Sequence, residues 1–295
     1  MPELPEVEIV RRGLEPALTG KAFAQVEQHR PDLRFPLPKN FPGELRGRKV
    51  ERLERRGKYL LARLSGGRVL LMHLGMTGCF TVHEPQSTRK MPPMVNDTRG
   101  GKHGAHDHVV FHMRGGGSVT YNDPRRFGFM MLIPEKDLDE HPLLHHLGVE
   151  PLDGGLTPEY LAQRARGKKL TLKPFLADQR IVAGLGNIYA CEALYRARLS
   201  PTRGAATIAT STGKPTARAV ALVQAIKEVL ADAINAGGSS MRDYRNANGE
   251  LGAFQHKFCV YDREGKPCLR KGCGGTVRRI VQSGRATFYC PRCQR

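Results

Sequence analysis

Near the start of the chain, apolar residues recur at three- and four-residue spacing. Val7, Val10, Leu14 and Leu18 carry this period, which predicts an opening helix with one buried stripe. Pro5 suits the first turn, where a missing N–H costs no hydrogen bond. The pattern then shortens to runs of β-branched and aromatic residues over 22–28, 49–55, 58–64, 68–74, 78–82, 107–113, 117–121 and 127–133. Gly66–Gly67 and the glycines of 115–117 punctuate these runs as hairpin turns. Many short strands at such spacing predict a two-layer β-sandwich. Beyond residue 150 the helical period returns. It predicts helices over 157–166 (Thr157 as cap, Pro158 first), over 187–197, and over 216–235, where Val220, Val223, Ile226, Leu230 and Ile234 share a face. Strand-like pieces reappear only near the C-terminus, around a group of cysteines.

These changes of period divide the chain into a β-rich domain over 1–138, a linker over 139–156, a helical domain over 157–256 and a cysteine-bearing segment over 257–295. The linker holds Pro142, Pro151 and Gly154–Gly155. The fold class is α+β and multidomain. Residues 84–105 are rich in Pro, Gly and charge without period, and are expected to form a mobile loop whose Arg89, Lys90, Arg99 and Lys102 touch a ligand or are simply solvated. No apolar run approaches the ~18 residues of a membrane span. The opening Met-Pro-Glu-Leu-Pro-Glu-Val-Glu is acidic and lacks the apolar core of a secretory signal. A soluble, cytoplasmic protein without membrane contact is expected.

Charge sharpens this picture. The chain carries 47 Lys and Arg against 28 Asp and Glu, a net +19. Residues 1–150 are net +5 and residues 151–295 net +14, so the second half is the stronger grip on a polyanion. A cationic surface also aids solubility, but this excess points to nucleic acid.

Four of the seven cysteines crowd the C-terminus. Cys268-x4-Cys273 and Cys290-x2-Cys293 are separated by 16 residues, and a hairpin over 276–282 and 285–289 fits between them. Two pairs on tight turns predict four thiolates around one structural Zn²⁺ rather than a disulfide framework. Arg270, Lys271, Arg278, Arg279, Arg285, Arg292 and Arg295 keep this finger cationic, which suits a backbone clamp on DNA or RNA. Cys79, Cys191 and Cys259 are expected to be ordinary buried thiols.

The N-terminus offers a different chemistry. Removal of Met1 would free the secondary amine of Pro2. Such an amine attacks a sugar C1′ to form an iminium, an electron sink that acidifies protons on the adjacent carbon. Glu3 and Glu6 stand beside it as groups able to move protons. On the residues alone, both also suit a helix start, where they complement the helix dipole. Charge and finger alone likewise fit a DNA-binding module without chemistry.

A series of motifs resembles one family throughout. Pro2-Glu3-Leu4-Pro5-Glu6-Val7-Glu8 with Arg11-Arg12-Gly13-Leu14 is similar to the start of bacterial formamidopyrimidine-DNA glycosylases. Matches follow at Arg56-Gly57-Lys58-Tyr59-Leu60, His73-Leu74-Gly75-Met76-Thr77-Gly78 and His106-Asp107-His108. They continue at Asp123-Pro124-Arg125-Arg126-Phe127-Gly128, Gly186-Asn187-Ile188-Tyr189-Ala190 with Glu192, and Arg285-Ala286-Thr287-Phe288-Tyr289-Cys290. The resemblance runs from residue 2 to residue 294. The sibling endonuclease VIII family, which acts on oxidised pyrimidines, typically has Gly where this chain has Leu4.

The resemblance implies an N-terminal β-sandwich flanked by helices, then a helix–two-turn–helix domain with a four-cysteine zinc finger. It implies an enzyme that excises oxidised purines such as 8-oxoguanine and formamidopyrimidines from double-stranded DNA, then cleaves the strand at the abasic site; the sequence shows no sign of an obligate oligomer, and a monomer is expected. It makes Pro2 the Schiff-base nucleophile, Glu3 the general acid, Glu6 a supporting carboxylate, Lys58 the lysine of β-elimination and Arg285 the arginine of δ-elimination. Because the lesion must leave the stack, Met76 and Phe127 become wedges that fill the hole and Arg125 addresses the widowed cytosine. His106, Lys168 and Asn187 become further DNA contacts, and 237–255 a lesion-covering loop. Plainer roles stay open: Met76 and Phe127 as core, Arg125 paired with Asp123, Asn187 as an N-cap, Lys58, Lys168 and His106 as solvated surface. Two departures stand out. The first cysteine pair has four intervening residues where many relatives have two, and the loop at 84–105 is longer than typical.

Overall fold

The computed structural model describes residues 1–84, 104–239 and 252–295. Most of the loop expected at 84–105, with Arg89, Lys90, Arg99 and Lys102, and residues 240–251 of the stretch 237–255 lie outside the described residues. The described chain divides into two compact units, Met1–His145 with Gly237–Ala253, and His146–Ala236 with Phe254–Arg295. Residues 237–239 and 252–253 thus belong to the first unit although they follow the last helix of the second in sequence.

The first unit opens with helix α1 (Leu4–Leu18), capped reciprocally by Glu3 and Glu6 and carrying a proline in its first turn. Strands β1 (Phe23–Gln28), β6 (Asp107–Met113), β7 (Ser118–Asn122) and β5 (Cys79–His83) form one antiparallel sheet in that order. Strands β2 (Val50–Arg56), β3 (Tyr59–Leu64), β4 (Arg68–His73) and β8 (Phe129–Pro134) form the other. One apolar core joins them: Val7, Val10, Leu14 and Leu18 of α1 pack with Phe23, Val50, Leu60, Leu70, Phe111 and Tyr121. Each fully buried side chain of this kind contributes ~1.5–3 kcal/mol, so the expected sandwich has a continuous interior. A short helix α2 (Phe41–Leu45), which the period did not announce, plugs Phe41 and Leu45 into that core.

The second unit contains α3 (Pro158–Ala165), α4 (Leu172–Ala177), α5 (Asn187–Arg196) and α6 (Ala217–Asn235). Thr157 caps α3 by accepting from the Tyr160 N–H at 3.1 Å. Two turns lie between α5 and α6, closed by Arg203 N–H to Ser200 carbonyl and Gly213 N–H to Thr210 carbonyl. This is the expected helix–two-turn–helix arrangement. On α6, Val223, Ile226, Leu230 and Ile234 are buried as expected, but Val220 is 54 % exposed, one helical step off the stripe that Ala219 and Leu222 occupy. Strands β9 (Arg278–Gln282) and β10 (Arg285–Tyr289) form the C-terminal hairpin. No helix among the described residues is long and apolar enough to cross a membrane.

Candidate active site and its neighbouring surfaces

The first turn of α1 gathers the predicted N-terminal chemistry. Pro2 is buried, and Glu3 and Glu6 are nearly inaccessible at 3 % and 2 % exposure. Glu6 is held on both oxygens: Oε2 accepts the Glu3 N–H at 2.9 Å, and Oε1 accepts the N–H and the hydroxyl of Ser239 at 2.9 Å each. Lys58, on the turn between β2 and β3, is 7 % exposed. The N-terminal amine, borne here by Met1, is pushed below its ordinary value chiefly by burial. The charges of Lys58 and Arg125 act the same way, while Glu3 and Glu6 oppose. Burial at this end of the first unit therefore disfavours a charged amine, and two buried carboxylates and a buried lysine belong to the same unit.

Two loops of the same unit carry the predicted insertion residues. Met76 (40 % exposed) stands on the turn after β4, and Arg125 and Phe127 (44 % exposed) stand before β8. Neither Met76 nor Phe127 is core. The Arg125 guanidinium lies over the Phe127 ring, 4.8 Å from its centroid, rather than on Asp123. Asp123 is fully buried and accepts from Thr77, Tyr121 and Gly128 instead. A cleft of about 480 Å³ is lined by Leu33, Arg34, Arg125, Arg126 and Phe127, three cations with two apolar side chains. Such pairing of cationic and aromatic side chains suits a nucleic-acid strand. His106 is exposed at the edge of this unit, and its carbonyl accepts the Asp123 N–H at 3.1 Å.

His73, present in a quoted motif but given no role by sequence reasoning, occupies the end of β4 beneath these loops. Its Nδ1 accepts the Gly75 N–H at 3.0 Å and its ring stacks on Phe129, centroids 5.2 Å apart. Burial, then the nearby charges of Lys58 and Arg34, lower its pKa to about 4. It is a neutral imidazole near pH 7.

In the second unit, Gly186 rather than Asn187 caps α5, and Asn187 is the first helical residue. Its amide donates to the Ala286 carbonyl on β10 at 2.9 Å and to the Tyr261 hydroxyl at 3.4 Å, so it moors the hairpin to the helix start. Glu192 on α5 is buried and accepts the N–H groups of Cys259, Val260 and Tyr261 at 2.8–2.9 Å. Lys168 is exposed just beyond α3, and Arg285 is exposed at the start of β10. Both belong to the second unit.

The four cysteines converge as expected. Their sulfurs all lie within 4.8 Å of one another, with Cys268–Cys293 at 3.8 Å and Cys273–Cys290 at 3.6 Å. Thiolates ~2.3 Å from a central ion at tetrahedral corners stand about 3.8 Å apart, so this set fits a structural metal. The four-residue spacing of the first pair is absorbed by its turn. A Cβ on Gly275 would sit 2.8 Å from Cys290 Sγ, so the sulfur cage closes only around glycine. Of the other three cysteines, Cys191 is buried, but Cys79 and Cys259 are only half-buried, contrary to expectation.

Comparisons with known proteins agree with this geometry. Residues 1–130 match the formamidopyrimidine-DNA glycosylase N-terminal domain, residues 147–245 its H2TH domain, and residues 265–295 the zinc finger found in FPG and IleRS. A formamidopyrimidine-DNA glycosylase of Beijerinckia indica is 56 % identical over 295 residues, covering both chains completely. The crystal structure of the MutM (Fpg) protein from Thermus thermophilus is 39 % identical, with a TM-score of 0.79 over 99 % of this chain and 98 % of its own. Lactococcus lactis Fpg bound to DNA containing an abasic site is 31 % identical, with a TM-score of 0.81 over 99 % of each chain. A variant of that protein bound to Fapy-dG-containing DNA reaches 0.82 over the whole of both chains, again at 31 % identity.

Proposed function

The chain belongs to the formamidopyrimidine-DNA glycosylase family, and on that premise we propose that it repairs double-stranded DNA by excising oxidised purines through a Schiff base at Pro2, then cleaving the strand. The observation that supports this reading is the burial of Pro2, Glu3, Glu6 and Lys58, although Met1 before them is exposed.

Once Met1 is removed, the Pro2 nitrogen attacks C1′ of the flipped nucleotide. The C1′–N9 bond breaks, and the base leaves with a proton. Glu3 protonates the ring oxygen O4′ so that the sugar opens and the nitrogen becomes an iminium. Glu6 holds the Glu3 backbone in place. The iminium acidifies the C2′ hydrogen; its loss expels the 3′ phosphate in β-elimination, with Lys58 as proton carrier. Arg285 serves the later loss of the 5′ phosphate in δ-elimination. A neutral amine is needed for the first step, and the buried position of Pro2 favours it because burial disfavours the charged form.

Met76 and Phe127 fill the space the lesion leaves, and Arg125 meets the opposite base. His106 and Lys168 contact backbone phosphates. Because the Asn187 side-chain donors face Ala286 and Tyr261, its contact to phosphate falls to the N–H groups opening α5, where the helix dipole favours an anion. Cys268, Cys273, Cys290 and Cys293 would hold one structural Zn²⁺, which would supply no chemistry and would fix the base of the hairpin. The protein works as a monomer in the cytoplasm on chromosomal DNA.

Borohydride trapping tests the mechanism. A duplex with 8-oxoguanine opposite cytosine should give a covalent adduct that maps to Pro2, in protein whose intact mass lacks Met1. Retention of Met1, or full activity in a Pro2→Gly variant, would overturn it.

A further inference from the structure

Asp123 has no role in the chemistry above, yet it is fully buried and its carboxylate meets three donors. Thr77 Oγ1 donates to Oδ1 at 2.5 Å, and Tyr121 Oη and the Gly128 N–H donate to Oδ2 at 3.2 and 2.8 Å. Thr77 Oγ1 in turn accepts the Arg125 N–H at 3.3 Å. The Asp123 backbone is pinned as well: its carbonyl lies 2.9 Å from His108 Nε2 and accepts the Arg126 N–H at 3.2 Å.

The consequence is geometric. Thr77 belongs to the turn after β4, and Gly128 ends the loop before β8. One carboxylate bonds to both across 46 residues of sequence. The exposed side chains sit next to the anchored atoms: Met76 precedes Thr77, Arg125 is tied through its own N–H, and Phe127 precedes Gly128. A wedge and its companions must occupy one gap together, and an error of ~1 Å in such placement can cost up to about 10²-fold in rate.

We propose that Asp123 is a positioning residue that fixes Met76 relative to Arg125 and Phe127, so that the three enter a duplex as one rigid unit. This rests on the reading above that they invade the stack. Of the three neighbours, the Gly128 N–H can only donate. An asparagine keeps it only by turning its NH2 toward Thr77, which reverses that bond and takes the acceptor from the Thr77 hydroxyl hydrogen.

The chain contains no tryptophan, so a Phe127→Trp parent carries a single reporter on the loop. In that parent, Asp123→Asn and Thr77→Val should each shorten the rotational correlation time of the tryptophan, while Thr77→Ser, which keeps the hydroxyl, should not. In chains with Phe127 intact, the same two substitutions should slow 8-oxoguanine excision from duplex at least about tenfold, yet change cleavage of a single-stranded abasic site by less than about twofold, since no stack need be invaded. Thr77→Ser should restore excision. Unchanged tryptophan motion in both damaging variants would overturn the proposal, as would equal loss on both substrates. If Asp123→Asn does not fold, Thr77→Val decides. An intact parent inactive on every DNA would sink the functional reading alone, because the anisotropy comparison still tests the joint.

Discussion

Glu6 Oε1 takes both the N–H and the hydroxyl of Ser239, each at 2.9 Å, across 233 residues of sequence. The other oxygen takes the Glu3 N–H. One buried carboxylate thereby holds the start of α1 and the chain that follows α6. Neither partner of this bond could be inferred from local pattern.

Ser239→Ala removes the hydroxyl bond and leaves the backbone one. Bonds to a charged group are worth ~1.5–3 kcal/mol, so thermal unfolding should occur several degrees lower, and borohydride trapping should slow. Glu6→Gln should cost more, because three donors then face one acceptor. Additive losses in the double variant would show that the two groups do not interact.

The depressed pKa of His73 makes a prediction about acid. The unfolded chain takes up this proton near pH 6.5, whereas the folded one resists until about pH 4. Stabilisation is therefore complete above pH 6.5 and lost as pH falls toward 4, on the order of 3 kcal/mol. Urea unfolding between pH 7 and 4 should show this slope, and His73→Phe should flatten it while lowering stability at pH 7 through the orphaned Gly75 N–H. An identical slope in the variant would assign the acid sensitivity elsewhere.

Cys290→Ser should empty the finger. Elemental analysis should find about one zinc per wild-type chain and almost none in the variant, with lesion-duplex affinity falling as the hairpin loosens. Because the cysteines lie outside the first unit, near-ultraviolet signals from its tyrosines should persist. Metal-free wild-type protein with full affinity would refute a structural zinc.

Gly75 has a left-handed backbone, φ +62°, and a Cβ there would stand 2.3 Å from the Gly128 nitrogen and the Phe127 carbonyl carbon. Neither neighbour is a flexible side chain. Gly75→Ala should therefore cost ~1–3 kcal/mol and separate the loops that bear Met76 and Phe127, which thermal unfolding and duplex excision would both register.

The periodic parts of the molecule were legible from residues alone. Strand β4 was expected over 68–74 and is found at Arg68–His73; α6 was expected over 216–235 and is found at Ala217–Asn235. Long runs reveal themselves because their burial repeats. Helices α2 and α4 escaped because five or six residues, each with a proline inside, complete less than two turns. The cysteine cage was legible because its ligands come in close pairs. The acceptor roles of Asp123 and Glu6 were not, since their partners are set by the packing of distant segments. The alternative of Asn187 as an N-cap failed for a related reason: Gly186 stands at the cap, and the Asn187 side chain reaches Ala286.

The finger hairpin is braced from several sides. Gln282 at the end of β9 donates to Thr171 and to the Pro201 carbonyl, and Ala286 on β10 receives Asn187. At its base, Gln294 bridges the Cys290 N–H and the Leu199 carbonyl. In mechanical terms the hairpin is a strut fixed along its length rather than an arm on a pivot. A duplex pressed against it would meet a stiff abutment, and the strain of bending would accumulate in the base steps instead of being lost to recoil of the protein.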